Sequence, residues 1–491
     1  MEMPLMADEF DVITIGCGIA GLSAAVSALQ AGAKVAIVER APVEDRGGNT
    51  RWTESFWRMQ SDVEVADDLE ERLADNAALH PDPSVIQDAS LDYASWPGLL
   101  KAAGLVDPNL VAALVREAPA TLQWLLTFGV KFDVLPLYFL SQTASRRAPI
   151  GGGLALIEAL AGYAENYPDQ VRFYYETRAH DLIQDAAGRV AGIKAFAPGN
   201  RPLELRAPNV ILASGGFQGN QEMLARYIGP QALYTRPVAR GGYYNRGEGI
   251  RMALDAGAAP CGNYASYHAQ PIDPRSGDPE PVVLNYAFGA LVNQAGQRFT
   301  DEGPAMTDAV YEVVTRRINQ EAGGIAYAIF DAKLDDVDGW ATTVRSRVPP
   351  YSAESLSELA AKIAVPVDEL ATTVATFNAA CPVADSFDPL VCDGLATTGI
   401  EPRKSNWARP IDTPPFRAWP IIAANCFTFG GLKVNERARV INLNGDEIPG
   451  LYAAGETVGL YYKVYPGATS VMRGAVTGRI AGQDAASRRN V

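Results

Sequence analysis

The chain has 491 residues, of which 48% are hydrophobic and 20% are charged, a balance typical of a soluble globular protein. The length predicts two or three domains. The net charge of −15 argues against a nucleic-acid partner, because such proteins normally present a basic face. No apolar run approaches the ~18 residues of a membrane span, so we expect no integral membrane segment.

The cysteines and histidines exclude two further kinds of site. The five cysteines form no C-x-x-C pair, so neither a disulfide framework nor a disulfide-reductase centre is expected. With only three histidines in the chain, a His/Cys metal site is not expected either. The segment 1–10 lacks the basic and apolar regions of a signal peptide. These features predict a metal-free, cytoplasmic protein.

The strongest motif lies near the start of the chain. An apolar, β-branched run at 11–15 leads into G-x-G-x-x-G at 16–21, and an Ala-rich segment follows. This pattern predicts a strand, a tight turn and a helix whose N-terminus receives a pyrophosphate, with Gly16, Gly18 and Gly21 as its glycines. A second strand, 34–38, ends at Glu39, where an acid is expected to bind ribose hydroxyls. The spacing predicts an adenine-dinucleotide site.

Further along the chain, other segments fit the same domain. Residues 62–125 have the spacing of peripheral helices, and a hairpin is expected around 185–189. Glycines open a predicted helix after 151–153, and helix 472–483 is predicted near the end. Predicted strand elements are 171–175, 210–217 and 450–456. Because the last two both end in glycines, we expect one cofactor domain interrupted by an insertion at about 266–426.

Several segments together resemble a known family. They are 39–51, 213–217, 247–254, 296–302, 406–416 and 454–456. In these the chain is similar to the flavoprotein superfamily of fumarate reductases and succinate dehydrogenases, with particular likeness to tricarballylate-dehydrogenase-like and 3-ketosteroid-dehydrogenase-like enzymes. The resemblance implies an α/β fold in which a Rossmann-like FAD-binding domain (1–265 and 427–491) is interrupted by a mobile α+β capping domain (266–426).

FAD is the cofactor that the resemblance implies. Some relatives attach it through a histidine near the 46–53 loop; this loop has none, so non-covalent binding is expected. The resemblance implies that Glu456 binds the ribityl hydroxyls. The N–H groups at the start of the last helix are expected to stabilise negative charge on the reduced ring. Besides the glycines at 16, 18 and 21 and Glu39, the expected cofactor-binding residues are Ala20, Arg40, Arg46, Gly47, Gly48, Asn49, Thr50, Gly152, Gly153, Ala179, Ala213, Ser214, Gly215, Glu456, Thr469, Ser470 and Val471.

The chain departs from the fumarate-reductase pattern at three places. Those enzymes carry an arginine shortly after the segment that ends at Glu302, but residues 303–308 include none. Phe427 to Phe429 stand where a histidine is expected. Tyr465 to Thr469 stand where an asparagine and an arginine are expected. These departures argue against dicarboxylate reduction.

Tyrosines stand at the third of these places, in the segment 461–467. Tyr465 or Tyr462, with Gly467, resembles the tyrosine and glycine N–H that hold a ketone oxygen in ketosteroid dehydrogenases. Polarising a carbonyl acidifies its α-hydrogen, which a second tyrosine could remove as base. His268, near the predicted hinge, is a candidate donor to a carbonyl or carboxylate. The candidate bases are Tyr138, Tyr243, Tyr244, Tyr267 and Tyr286.

The sequence therefore favours an FAD-dependent dehydrogenase that forms a C=C bond beside the carbonyl of a small cyclic ketone. Electrons would pass to an external acceptor: a quinone, an electron-transfer protein or oxygen. The alternatives are a tricarballylate-like carboxylate dehydrogenase or a fumarate-reductase-like ene-reductase, and a flavin-binding subunit that needs a partner carrying iron–sulfur clusters or haem. Candidate anchors for a carboxylate are Arg51, Arg240, Arg409 and Arg473.

Overall fold

The computed structural model describes residues 9–79, 82–89, 91–134, 138–141, 144–383 and 387–489, so most of segment 1–10 lies outside the described residues. The strands are β1 Val12–Ile15, β2 Val35–Val38, β3 Phe132–Asp133, β4 Ala148–Pro149, β5 Val171–Tyr174, β6 Arg178–Gln184, β7 Val190–Ala197, β8 Arg201–Arg206, β9 Asn209–Leu212, β10 Arg236–Pro237, β11 Pro260–Cys261, β12 Tyr267–Ile272, β13 Ala290–Val292, β14 Ile325–Phe330, β15 Tyr351–Ala353, β16 Phe416–Thr428, β17 Gly431–Leu432, β18 Arg439–Ile441 and β19 Glu447–Ala453.

The α-helices of the described residues are α1 Ile19–Gln30, α2 Leu69–Asp75, α3 Pro83–Ala89, α4 Gly98–Ala102, α5 Pro108–Leu126, α6 Gly152–Glu165, α7 Gln221–Tyr227, α8 Glu248–Asp255, α9 Thr307–Gln320, α10 Leu356–Ile363, α11 Val367–Ala380 and α12 Ser470–Ser487. None of them is long and apolar enough to cross a bilayer.

A six-stranded sheet forms the centre of the first domain, in the order β18-β19-β9-β1-β2-β5. From β19 to β5 neighbouring strands run parallel, and only β18 is antiparallel. All four residues of β1, β2 and β9 are buried, as expected for strands covered on both faces. The glycines that follow β1 therefore lie at the carboxyl edge of the sheet, where such folds bind ligands.

Helices α1 and α12 pack closely against each other beneath this edge. A Cβ atom at Gly478 would lie 2.2 Å from the carbonyl oxygen of Ala20, and one at Gly482 would lie 2.1 Å from that of Ala24. Glycines four residues apart thus let the two backbones touch. This contact holds the N-termini of both helices beside the same sheet edge.

A second sheet belongs to the inserted segment. Its path is β10-β16-β14-β13, and β12 and β15 also pair with β16. Strand β16 is 13 residues long and nearly all of its residues are buried. It continues across position 426, where the sequence placed the end of the capping domain. The last residues of the cap sheet therefore reach the first domain.

The predicted elements of the first domain are confirmed, with ends displaced by a few residues. Helix α12 begins at Ser470, two residues before its predicted start, and the predicted hairpin joins β6 to β7. The peripheral segment contains α2 to α5. The fold is the predicted mixture of a Rossmann-like domain and an inserted α+β unit.

Candidate active site

One long cleft crosses the carboxyl edge of the first sheet and continues under the cap. Its empty volume is about 1650 Å³ when the open mouth is included. At one end lie Gly16, Gly18 and Glu39, and at the other His268 and Tyr465. The two ends are called the nucleotide end and the substrate end below.

Backbone geometry shapes the nucleotide end. Gly16 has a φ of +107°, and a Cβ there would lie 2.3 Å from the carbonyl oxygen of Ala213, so only glycine permits this turn. Glu39 is buried and accepts the N–H groups of Cys17 and Ala41, each at 2.7 Å. Burial raises the pKa of Glu39 against these hydrogen bonds. The carboxylate is thus held by the backbone next to the glycine turn.

The 47–50 loop and Glu456 line the middle of the cleft. The amide of Asn49 donates to the carbonyl oxygen of Cys426 at 2.7 Å, which ties this loop to the end of β16. Glu456 accepts the N–H of Thr428 at 2.8 Å, and burial raises the pKa of its carboxyl group. The middle of the cleft is therefore formed by the 47–50 loop and Glu456 of the first domain together with the end of β16.

The cleft fits the FAD that the sequence predicts. Several buried polar atoms that belong to its lining residues lack a hydrogen-bond partner in the described structure: Asn49 Oδ1, Glu54 Oε2, Arg146 Nε, Ser214 Oγ, Gln270 Oε1 and Arg473 Nε. Buried polar atoms are normally satisfied, so unpaired ones along a cleft indicate a polar ligand. The glycine turn, the helix N-terminus and this polar middle section suit an extended dinucleotide.

Most expected cofactor residues line the cleft: Gly16, Gly18, Ala20, Glu39, Arg40, Gly47, Gly48, Asn49, Thr50, Ala179, Ala213, Ser214, Gly215, Glu456, Ser470 and Val471. The others lie behind it. A Cβ at Gly153 would lie 1.7 Å from the carbonyl oxygen of Thr50, and one at Gly21 would lie 1.9 Å from that of Gly16. These glycines, with Gly152, support the loops instead of facing the cleft.

Two expected cofactor residues need a correction. Arg46 turns toward α6 and pairs with Glu158 at 2.8 Å and with Glu165, because that helix presents two carboxylates to it. Thr469 is buried behind the lining, where its hydroxyl lies 2.7 Å from that of Tyr461. Both residues position the lining and do not form it.

Tyr465 stands at the substrate end and faces the start of α12. Its hydroxyl oxygen accepts the N–H groups of Thr469 at 3.0 Å and Ser470 at 3.2 Å. The hydroxyl proton therefore remains for an acceptor, either Ser470 Oγ at 3.1 Å or a ligand. Gly467 also lines this end, and its carbonyl oxygen accepts from buried Arg58 at 3.3 Å.

His268 belongs to a buried chain of hydrogen bonds. Its Nδ1 lies 2.9 Å from Glu312 Oε2, and its Nε2 lies 3.3 Å from the Tyr311 hydroxyl, which lines the cleft. Burial alone would raise the pKa of Glu312, but the hydrogen bond to His268 and the charge of Arg316 outweigh it and hold the pKa below its usual value. Glu312 is thus an ionised carboxylate behind an imidazole.

Arg146 lines the substrate end and is almost completely buried. Its Nη2 lies 2.6 and 2.7 Å from the two carboxylate oxygens of Asp308, so its charge is compensated by a neighbouring group. Neither residue was singled out from the sequence. The pair joins the loop before β4 to the start of α9 and so helps to position Tyr311.

A second charged cluster lies along the same cleft. Arg345 binds two carboxylates, Glu54 at 2.7 Å and Glu280 at 3.1 Å, and its guanidinium lies 5.3 Å from the centre of the Tyr138 ring. Burial, followed by repulsion from Glu54, raises the pKa of Glu280 to about 8. Burial also raises the pKa of Tyr138 well above its usual value. Repulsion between Glu54 and Glu280 therefore favours one proton on the pair, and the remaining carboxylate charge balances Arg345.

The remaining tyrosine candidates are engaged elsewhere. The Tyr462 hydroxyl points away from the cleft and accepts the N–H of Gly262 at 2.8 Å, so the choice between Tyr462 and Tyr465 falls on Tyr465. Tyr244 borders the cleft, but its hydroxyl donates to Asp45 at 2.8 Å. Tyr267 donates to Asn319 at 3.1 Å, Tyr286 is fully buried and Tyr243 is largely exposed.

Of the four candidate arginines, Arg473 alone is among the cleft-lining residues that the structure describes. Arg51 pairs with Glu158 at 3.2 Å and Arg240 with Asp45 at 2.8 Å. Arg409 lies 3.8 Å from the centre of the Phe387 ring in the cap. Three of the four are thus neutralised or distant from the substrate end.

Comparisons with known proteins agree with this geometry. A family model described as an FAD binding domain matches residues 11–471. The chain is 28% identical to the NADH:acrylate oxidoreductase of Vibrio harveyi over 97% of its own length but spans only half of that relative. It is 24% identical to the vinyl phenol reductase of Lactiplantibacillus plantarum, covering 98% of this chain and 97% of that one.

Among solved structures, the open conformation of a flavocytochrome c3 fumarate reductase resembles the chain with a TM-score of 0.73 and 24% identity, covering 99% of this chain and 80% of that one. The family match over almost the whole chain confirms the predicted cofactor and the predicted oxidoreductase class. The chain belongs to the FAD-binding domain family and is an FAD-dependent oxidoreductase.

Proposed function

We propose that the protein reduces a C=C bond conjugated to a carbonyl group in a small uncharged substrate. The observation that carries this proposal is the hydrogen-bonded chain from Glu312 through His268 to Tyr311, whose hydroxyl-bearing ring lines the cleft. Reduction of such a bond needs a proton donor at one carbon, and a buried phenol backed by an imidazole is such a donor.

When bound, FAD supplies the hydride equivalent that reduces the other carbon. The protein's residues then have separate tasks. Tyr465 donates its hydroxyl proton as a hydrogen bond to the substrate carbonyl, since its oxygen already accepts two backbone N–H groups. Tyr311 holds the proton that the carbon receives, and His268 restores it. Burial raises the pKa of Tyr311 well above its usual value, so the phenol stays protonated until it reacts.

The charges along the cleft support an uncharged substrate. Arg146 is matched by Asp308, and Arg345 is shared by two carboxylates. A dicarboxylate or tricarboxylate would need a cation for each carboxylate. These contacts already occupy Arg146 and Arg345, and Arg473 by itself would match one carboxylate. Phe427 and Phe139 add apolar surface to the lining. A small ketone or aryl substrate satisfies this combination better than a polyanion.

The relatives support the direction of reaction. One of them is named as a reductase of vinyl phenol and another as an oxidoreductase of acrylate, and the first spans nearly the same length as this chain. We extend reduction of an activated C=C bond to this protein on that basis. The electron donor is proposed to be external, either a reduced protein or a soluble carrier.

A second candidate is the reverse reaction, desaturation of a cyclic ketone. The pairing of His268 with Glu312 favours it, because a carboxylate that accepts from Nδ1 leaves Nε2 to accept a proton. The base would then be His268 acting through Tyr311. Tyr138, an earlier candidate, fits less well, since burial raises its pKa and opposes a tyrosinate.

Anaerobic half-reactions of the holoenzyme test both candidates. Protein reduced with dithionite is mixed with a cyclic enone, a vinyl phenol or fumarate, and the return of the flavin's visible absorbance is followed. Oxidised protein is mixed with saturated ketones. We expect rapid reoxidation by the enone, slowed by Tyr311→Phe. Vinyl phenol has no carbonyl group for Tyr465 to bind, so faster reoxidation by vinyl phenol than by the enone would contradict the assigned carbonyl contact. Rapid reoxidation by fumarate alone would contradict the proposal, and bleaching by saturated ketones alone would favour the second candidate.

A further inference from the structure

Arg473 is a buried cation with an unusual position. It lies in the first turn of α12 and lines the cleft, yet only 2% of its surface is exposed. Nothing in the proposed reduction of the substrate uses it. Burying a charged side chain without a partner costs free energy. The groups around Arg473 should therefore indicate which partner its charge serves.

The contacts of Arg473 leave its charge uncompensated. Its Nη1 donates to the carbonyl oxygen of Val458 at a long 3.4 Å, and its Nε has no hydrogen-bond partner in the described structure. Its guanidinium lies 4.7 Å from the centre of the Tyr461 ring and 5.7 Å from that of Phe427. These ring faces attract a cation, but they do not neutralise it.

Glu456 is the acidic group whose titration Arg473 affects. Burial raises the pKa of Glu456, and Arg473 opposes that effect together with hydrogen bonds from Thr428 and Gln218. The carboxylate oxygens of Glu456 are occupied by those groups and by Asn245. Among the described residues, Arg473 therefore forms no ion pair with a carboxylate.

The position along the cleft favours a ligand that is present throughout the reaction. The next residue, Gly474, would place a Cβ 2.8 Å from Ile19, in the first turn of α1 at the nucleotide end. Phe427, on the other side of Arg473, contacts the rings of His268 and Tyr465 at the substrate end. An extended dinucleotide that reaches from one end to the other must pass Arg473.

We propose that Arg473 is an electrostatic partner of bound FAD that favours the reduced, anionic form of its ring. The N-terminus of α12, where Ser470 and Val471 line the cleft, adds a positive dipole end beside it. A fixed cation stabilises an anion more than a neutral ring, and more strongly in a water-poor cleft than in solvent. Arg473 is thus a positioning charge that sets the cofactor's reduction potential.

The test is a spectroelectrochemical titration of the holoenzyme without substrate. In Arg473→Met we expect the preference for the reduced form to fall at least tenfold, which equals about 30 mV for a two-electron couple. Arg473→Lys keeps the charge, so its preference for the reduced form should fall by much less. The matched control is Arg479→Met on the same helix, since Arg479 faces Thr121 and Trp124 of α5 and should leave the potential unchanged.

Three results would overturn the proposal. An unchanged potential in Arg473→Met, with lost binding of an anionic substrate analogue, would assign Arg473 to the substrate. An unchanged potential with weaker FAD binding would assign it to the pyrophosphate. An equal shift in Arg479→Met would show a non-specific effect. If Arg473→Met does not fold, a potential in Arg473→Gln equal to that of the unaltered protein decides against the proposal.

Discussion

His268 and Glu312 are joined by a contact of 2.9 Å between Nδ1 and Oε2, and the same carboxylate oxygen accepts the backbone N–H of Tyr465 at 3.3 Å. One buried carboxylate therefore orients both the imidazole and the segment that carries Tyr465. The groups that we propose to transfer the proton and to bind the carbonyl are fixed relative to each other by a single side chain.

Glu312→Gln tests whether the carboxylate of Glu312 matters for turnover and not only for cofactor binding. Replacing the carboxylate weakens the contact that orients His268 toward Tyr311, so we expect a fall in turnover of about 100-fold, within the range of general acid–base catalysis, with little change in FAD content. The rate of turnover is measured by stopped-flow reoxidation of the reduced protein with an enone. Glu354→Gln, on the exposed surface of the cap, is the control; equal rates for both variants would contradict the assigned role.

Tyr465→Phe and Tyr462→Phe form a matched pair of variants three residues apart. Tyr465→Phe loses the donor to the substrate oxygen, and a fall of about 100-fold in turnover is expected for one such donor. Tyr462→Phe loses the hydrogen bond from Gly262 and a weak contact with Cys261 Sγ at 3.7 Å, so its cost is about 1 kcal/mol of stability with normal turnover. Steady-state kinetics and thermal unfolding distinguish them, and reversed effects would return the role to Tyr462.

The sequence identified the glycine turns because their signal is local. The resemblance left Tyr462 and Tyr465 as alternatives, and their hydrogen-bond partners favour Tyr465 for the cleft. The G-x-G-x-x-G motif and Glu39 lie within one strand–helix–strand unit, so spacing alone indicates their chemistry. Arg146 and Asp308 are 162 positions apart, and no pattern in either segment marks the pair. Helix α9, which carries Tyr311 and Glu312, has the hydrophobic periodicity of an ordinary amphipathic helix.

Arg46 shows a different limit of sequence reasoning. The motif correctly placed its loop along the cleft, since Gly47 to Thr50 line it. The direction of one side chain in that loop depends on Glu158 and Glu165 of α6, more than 100 positions away. Backbone placement was therefore predictable, and side-chain direction was not.

Glu280 should make the stability of the holoenzyme depend on pH. Burial, followed by repulsion from Glu54, raises its pKa in the folded protein to about 8, whereas an exposed glutamate ionises near about 4.3. Between these values the unfolded chain releases a proton that the folded protein retains. The contribution of Glu280 is thus complete below about pH 4.3 and is lost as pH rises toward 8.

Glu280→Gln removes that titration. Thermal midpoints measured between pH 5 and pH 8 should decline less steeply in the variant than in the unaltered protein. Glu354→Gln again serves as the control, because its carboxyl group is exposed. Parallel declines in all three proteins would show that Glu280 is already ionised when folded.

The flavin is expected to be held without a covalent bond. The 46–53 loop contains no histidine, and its contacts with the cleft are made by glycines, Asn49 and Thr50. Acid precipitation should therefore leave all FAD in the supernatant, and the intact polypeptide should have the mass of its sequence alone. Yellow colour that stays with the precipitate would contradict this expectation.

Strand β16 determines how this protein can be recombined with its relatives. Its early residues pair with β14 and β15 in the cap, whereas Cys426 and Phe427 line the cleft and Thr428 binds Glu456. A chimera joined at position 426 would therefore combine a foreign strand with a native cofactor wall. Exchanges of the cap should instead carry the whole strand through Thr428, together with the Asn49 loop that hydrogen-bonds to its end.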